Sequence, residues 1–194
     1  TLYDSAEISY YTQETEQSQI TVQNQVSFFE GMRAPPTPTM RIRDFDFNQS
    51  IDGFAFEAYR STGDYQMIYG LDIEDTETER PRMLTEINLI TGMATNIVDG
   101  ETYPNKTFPD SETKRKAVFF NNRFGLSDSS VLTIGFRYDD YELNTSPDLL
   151  LSNANILNYQ ISNTEDSAFT FKLGYLQDLS ENLTGFVQYA EGFK

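Results

Sequence analysis

Cysteine, histidine and tryptophan are all absent from the 194 residues. Without Cys there are no disulfides, zinc thiolates or thiol nucleophiles, a composition compatible with an extracytoplasmic bacterial location. Without His the chain lacks the commonest general base, the commonest metal ligand and the usual haem ligand. Positive charge is scarce as well: 14 Lys and Arg stand against 30 Asp and Glu, and the formal charge is −16. That charge repels phosphates, and no basic stripe offsets it, so nucleic acid is excluded as a partner. No window approaches the roughly 18 apolar residues that a membrane helix needs, and the mean hydropathy is −0.51. This last absence does not exclude a membrane crossed by strands. A barrel strand spans in about 9 to 11 residues with every second side chain in lipid, and so averages as polar. The chain opens Thr1-Leu2-Tyr3 with no Met, basic n-region or apolar h-region, which fits a mature or excised segment.

What is present is aromatic: 14% of residues, within a hydrophobic fraction of 38%, enough to argue for a folded chain. The apolar residues recur with period two. Leu132, Ile134, Phe136 and Tyr138 share one face of a strand, and Thr133, Gly135, Arg137 and Asp139 share the other. The preceding segment places Val118, Phe120, Phe124 and Leu126 on one face, interrupted by Asn122, with Phe119 the exception among the polar Asn121, Arg123 and Gly125. Further on, Phe169, Phe171, Leu173 and Tyr175 oppose Ala168, Thr170, Lys172 and Gly174, and Leu183, Val187 and Tyr189 continue the plan. Earlier, Tyr65, Met67, Tyr69, Leu71 and Ile73 alternate with Gln66, Gly70 and Asp72, and Leu2, Ala6, Ile8 and Tyr10 form one more face. Such alternation specifies strands. The strand from Arg41 to Arg60 changes phase, because Phe45, Phe47 and Ile51 are odd while Phe54, Phe56 and Ala58 are even, and a bulge near Asp52-Gly53 is expected to reconcile them.

Seven strands result, joined by short polar turns at 61–64, 127–130 and 177–182 and by long connections at 17–40, 81–113 and 144–165. Short turns at one end and long loops at the other are the pattern of outer-membrane barrels. Tyr138, Tyr141, Tyr175 and Tyr189 lie towards strand ends, where amphipathic rings favour a membrane interface. The expected fold is therefore all-β, an antiparallel up-and-down transmembrane β-barrel, present as a fragment of about seven strands.

Little in the chain reads as a reaction centre. The acidic run from Asp72 through Glu74, Asp75, Glu77 and Glu79 to Arg80 lacks the spacing of a calcium loop and reads as a charged strand end entering water or a hydrated lumen. Asp139 and Asp140 are strand neighbours and point to opposite faces, so they cannot address one bond. Gly53, Gly70, Gly135, Gly174 and Gly185 have no phosphate-binding spacing and read as close-packing or bending positions. Arg137 and Lys172 fit a charged lumen, paired with residues such as Asp139 or Glu191. The stretch Ala34-Pro35-Pro36-Thr37-Pro38-Thr39 reads as a stiff extended loop. No residue is assigned a catalytic, cofactor-binding or metal-binding role, and the chain is not expected to be an enzyme.

An ordered set of segments narrows the reading. Tyr69-Gly70-Leu71-Asp72, Thr76 to Arg82, Phe108-Pro109-Asp110-Ser111, Ala117-Val118-Phe119, Gly135-Phe136-Arg137-Tyr138-Asp139, Asp166-Ser167-Ala168-Phe169 and Tyr189-Ala190-Glu191-Gly192-Phe193-Lys194 occur in this order. Together they resemble the barrel of TonB-dependent outer-membrane receptors, especially the haem, haemoglobin and transferrin-type branch. Lys194 stands where that family usually has Arg. The resemblance covers most of residues 1–194 and implies a partial receptor barrel domain, roughly a third of about 22 strands closed around a plug. The plug, its TonB box and the remaining strands are expected outside this sequence. In haem-specific members the haem-ligating His residues lie in the plug and in a loop beyond the closing segment, so no ligand residue transfers to this chain.

The implied function is uptake of an iron-bearing ligand (haem, a haemoprotein or a ferric siderophore) across the bacterial outer membrane. The implied partners are outer-membrane lipid, TonB acting through the plug, and the ligand at external loops, of which 81–113 is the first candidate. Two alternatives stand beside this reading: a passive porin-like barrel, and a secreted soluble β-sandwich binding module whose apolar faces pack against a second sheet.

Overall fold

The computed structural model describes residues 2–29, 35–154 and 161–192. Among these residues twelve strands and one short helix follow in chain order: β1 (Ser5–Ser27), β2 (Thr37–Thr62), β3 (Tyr65–Glu79), β4 (Pro81–Asn88), β5 (Ala94–Thr95), β6 (Ile97–Val98), β7 (Glu101–Thr102), β8 (Asn105–Lys106), β9 (Asp110–Ser127), β10 (Ser130–Ser146), α1 (Leu149–Asn153), β11 (Thr164–Ser180) and β12 (Leu183–Ala190). The seven long strands pair antiparallel in the order β1-β2-β3-β9-β10-β11-β12, an up-and-down sheet whose chain neighbours are also spatial neighbours. Among the described residues β1 and β12 each pair on one side only.

Three tight turns close one end, at Gly63-Asp64, Asp128-Ser129 and Glu181-Asn182. Gly63 has a φ of 56°, the left-handed conformation that a two-residue hairpin needs and that glycine adopts without steric cost. Register shifts lie beside two of these turns, between Ser130 and Val131 and between Asp178 and Ser180.

One face of the sheet is apolar across all seven strands, because each register sets apolar residues opposite one another. Ile8 faces Phe56, Phe56 faces Leu71, Leu71 faces Val118, Val118 faces Tyr138 and Tyr138 faces Phe169. Phe120 and Phe136 stack at 5.1 Å between ring centroids, and Phe136 and Phe169 at 6.0 Å. Cross-strand aromatic pairs of this kind hold sheet register. From Tyr65 to Ile73 the band rises about 26 Å along the strand, the height of a barrel's lipid-facing belt. Its far limit is polar: Tyr10 donates to Asp52 at 3.0 Å, and the next outward positions after Ile73 and Tyr138 are Asp75 and Asp140.

Four expectations change. No register shift occurs at Asp52-Gly53, since β2 pairs without interruption with β1 on one side and β3 on the other. Phe45, Phe47 and Ile51 therefore lie on the inner face with Gly53 and Glu57, opposite to Phe54 and Phe56; the phase changes because the strand leaves the band. The connection expected at 17–40 shrinks to 28–36, because β1 and β2 pair from Ser5–Tyr59 to Ser27–Thr37. A strand of 26 residues is about 85 Å long, so most of β2 stands beyond the belt as an external arm. Tyr141 shares its face with Arg137 and Asp139 and belongs to the inner face, not to an interface girdle. The loop 81–113 is largely structured: β4 continues the register of β3 along β2 unchanged across Arg80, and β5 and β8 pair with β4. Ala34, Phe193 and Lys194, parts of two segments singled out above, lie outside the described residues.

Candidate functional site

The inner face is polar and networked at the level of the band. Arg137 donates through Nε to Asp139 (2.9 Å) and through Nη1 to Asp72 on β3 (3.1 Å), while its guanidinium lies 5.9 Å from the Phe119 ring centroid. Phe119, the aromatic exception on this face, is the cross-strand partner of Gly70, and a Cβ at Gly70 would collide with its ring. Tyr11 pairs likewise with Gly53, covers it, and donates to Glu74 at 2.8 Å, with Arg115 3.8 Å from the same carboxylate. These glycines are spaces for flat rings, a use of glycine beside aromatics that pins register. Asp72 and Glu74 thus sit on the inner face, and Asp139 and Asp140 do point to opposite sides. Arg137 pairs with Asp139 as expected. Lys172 makes no ion pair among the described residues; with Glu57, Asp72 and Arg137 it lines an open groove of about 490 Å³.

A second inner groove, about 380 Å³, lies higher, between Gln49, Thr76, Thr78, Ser111, Thr113 and Thr145. Arg80 marks its rim, about 23 Å along the strand beyond Ile73. Its guanidinium is 5.2 Å from the Phe47 centroid and 5.7 Å from that of Phe108. Among the described residues no carboxylate is close enough to form an ion pair with it. In a chain of charge −16, this cation has aromatic faces beside it and no carboxylate partner, an arrangement whose chemistry suits an anion with a planar part. The sequence reading missed Arg80 in this role; the signal was the phase change that brings Phe47 inward opposite it.

The external arm has a hub of its own. Arg41, 8% exposed, donates to Glu86 at 3.0 Å and forks onto Asp99 at 2.7 and 3.0 Å. Glu86, 3% exposed, also accepts from Ser27 (2.6 Å) and Thr39 (3.0 Å). Burial pushes the Glu86 carboxyl up, but the Ser27, Arg41 and Thr39 donors outweigh it and hold the group below the usual range. Lys106 bridges Asp110 at 2.6 Å and Asp148 at 3.0 Å, tying 81–113 to the next loop, where Asp148 caps α1 through Leu151 N. Arg82 donates to Asn105 and Glu101 and lies 5.5 Å from the Tyr103 ring centroid. The loop expected to meet ligand is thus a cross-braced lid on the inner side of β2 and β4, where Leu84 and Val98 are buried.

An open up-and-down antiparallel sheet with a lipid-height apolar face, a charged inner face and long structured loops at one end defines a wall segment of an outer-membrane-type β-barrel. The family model "TonB dependent receptor-like, beta-barrel" matches residues 3–194, and the chain belongs to that family, whose members are receptors of the bacterial outer membrane. No curated protein matches the chain. The solved structure of "Copper transporter OprC" is similar with a TM-score of 0.50 and 15% identity over 93% of this chain and 26% of that one. At that identity the likeness carries the fold, and the chain spans about a quarter of the matched structure.

Proposed function

We propose that this chain is part of the wall of a TonB-coupled receptor in the bacterial outer membrane that takes up an iron-bearing ligand: haem, a haemoprotein or a ferric siderophore. The haem, haemoglobin and transferrin-type branch is favoured by the ordered segments from Tyr69 to Lys194. The plug and the remaining strands belong, in this reading, to other parts of the protein. The observation that carries it is Arg80 between Phe47 and Phe108 over a groove of hydroxyl and amide side chains, on the inner face above the membrane band. Haem carries carboxylates on a planar ring and catecholate siderophores carry negative charge on aromatic rings, so either meets cation and π-face together. Copper, named for the similar structure, is held best by imidazole, thiolate or thioether donors, and the lining of this groove has none of them.

The full-length receptor in detergent, titrated with haem, an anionic ferric catecholate and Cu(II), tests this. Arg80→Ala should weaken haem or ferric catecholate about tenfold, some 1.4 kcal/mol, and leave any copper binding unchanged. Unchanged affinity for both iron ligands in Arg80→Ala would exclude this groove as the capture site.

A further inference from the structure

Beyond the band, the outward face of the arm is divided into two zones. Next to the band lies an acidic belt, with Glu14 and Glu16 on β1, Asp44 and Asp46 on β2, and Glu77 and Glu79 on β3. Above it the same face turns mainly apolar, with Asn24 and Thr85 as its polar members. Val22 faces Ile42, Val26 faces Pro38, Met40 faces Ile87, and Leu89 N donates to Pro38 O at 3.0 Å. Val22, Val26 and Leu89 are 60, 67 and 51% exposed. Three strands by three or four rows of side chains cover about 14 by 20 to 27 Å, the few hundred Å² at which an apolar patch marks a contact surface. The other side of these strands already has its cover, the braced loop over Leu84 and Glu86. A further strand on the free edge of β1 would lie in the plane of the sheet and leave this face open.

We infer that this patch docks a cell-surface protein whose contact face has an apolar centre and a basic rim. Lipid is too far away, since Val22 stands about 40 Å along the strand beyond Tyr10. A second copy would set one acidic belt against another, and from Asp52 to Pro38 the outward positions of these strands hold no Lys or Arg. A basic rim instead neutralises the belt as the apolar centre buries Val22 and Ile42.

The chain has no Cys, so single cysteines report on each zone. The inference rests on the membrane placement of the band, which Leu71→Cys checks separately. The full-length receptor carrying Val22→Cys is labelled with a membrane-impermeant maleimide in intact cells, in cells washed with about 1 M salt, and after purification. The expected result is labelling at least tenfold slower in unwashed cells, with the purified rate restored by the wash and a basic protein recovered by cross-linking from Val22. Equal rates in cells and in purified receptor overturn the inference. So does protection that survives the wash, which indicates polysaccharide cover, or a cross-link to a second copy alone. Rapid labelling of Leu71→Cys in cells would instead sink the membrane placement, whatever Val22 shows.

Discussion

Two stretches of β2 have opposite sidedness on one unbroken backbone. Near the tight turn, Phe54, Phe56 and Ala58 point outward and Ala55 and Glu57 inward; in the arm, Asp44 and Asp46 point outward and Phe45 and Phe47 inward. The register does not slip between them, so the strand itself does not decide which face is apolar. The surroundings do. Lipid covers the outside of the lower stretch, whereas in water the loop 81–113 covers part of the inside of the upper one, with Phe45 still 40% exposed, and the outside is left to carboxylates. The two stretches also cohere differently, through aromatic contacts in the band and through buried ion pairs in the arm.

That contrast is broken most forcefully at Glu86. Glu86→Ala leaves Arg41 buried with Asp99 alone, and breaking a buried pair costs about 3–5 kcal/mol. Amide exchange in 81–113 of the full-length receptor should rise accordingly, while the band amides of β9 and β10 stay unchanged. Acid should act in the same way. The carboxyls of Glu86 and Asp148 are both held below their ordinary values: burial raises each, and donors outweigh it, Ser27, Arg41 and Thr39 at Glu86, the Leu151 amide and Lys106 at Asp148. Their stabilisation is complete above the usual carboxylate range and is lost as pH falls through the lowered folded values. Burial lowers the Lys106 amine but its two carboxylate partners raise it overall, so its contribution is lost only as pH rises through that raised value. The arm should therefore open below about pH 4 and persist through mild alkali. Equal opening of arm and band in acid would remove the distinction.

A charge on each face sharpens the comparison within the band. Leu71→Arg places a guanidinium on the lipid face and should destabilise the full-length receptor refolded into vesicles by about 2–4 kcal/mol. Ser9→Arg, on the inner face beside Glu7 and Glu57, should cost less than about 1 kcal/mol. Equal costs in urea titration would show that the apolar face does not meet lipid, which is the outcome the soluble sandwich requires.

How much of this was legible depended on whether one face alone carried the signal. The alternation from Leu132 to Tyr138 and from Phe169 to Tyr175 placed strands and sidedness correctly, because in lipid one face must be apolar and period two shows it directly; the turn expected at 177–182 narrows to Glu181-Asn182, since β11 runs to Ser180. Phe45 and Phe47 suggested a bulge because sequence shows parity and not which solvent lies outside. The arm from Gln17 to Ser27 read as loop, since the stretch leading into it alternates Glu14, Glu16 and Ser18 with the equally polar Gln13, Thr15 and Gln17, and a strand wet on both faces has no period. Arg80 and the Arg41–Glu86–Asp99 hub depend on pairings 28 to 58 residues apart, which no local pattern encodes.

The smallest expected effect concerns the residue that interrupts the apolar face. Asn122 is 6% exposed, lies across from Met67 and Ile134, and gives one amide hydrogen to Tyr65 Oη at 3.2 Å while its Oδ1 has no partner. A buried acceptor without a donor costs about 1–3 kcal/mol, and one ordinary hydrogen bond returns about 1. Asn122→Leu removes both terms and extends the packing between Phe120 and Phe124. In vesicles the substitution should be neutral or stabilising by up to about 1 kcal/mol. A loss of more than that in the urea midpoint would mean that Oδ1 is hydrated in the assembled receptor, and the band would then have to end above Asn122, short of the tight turns.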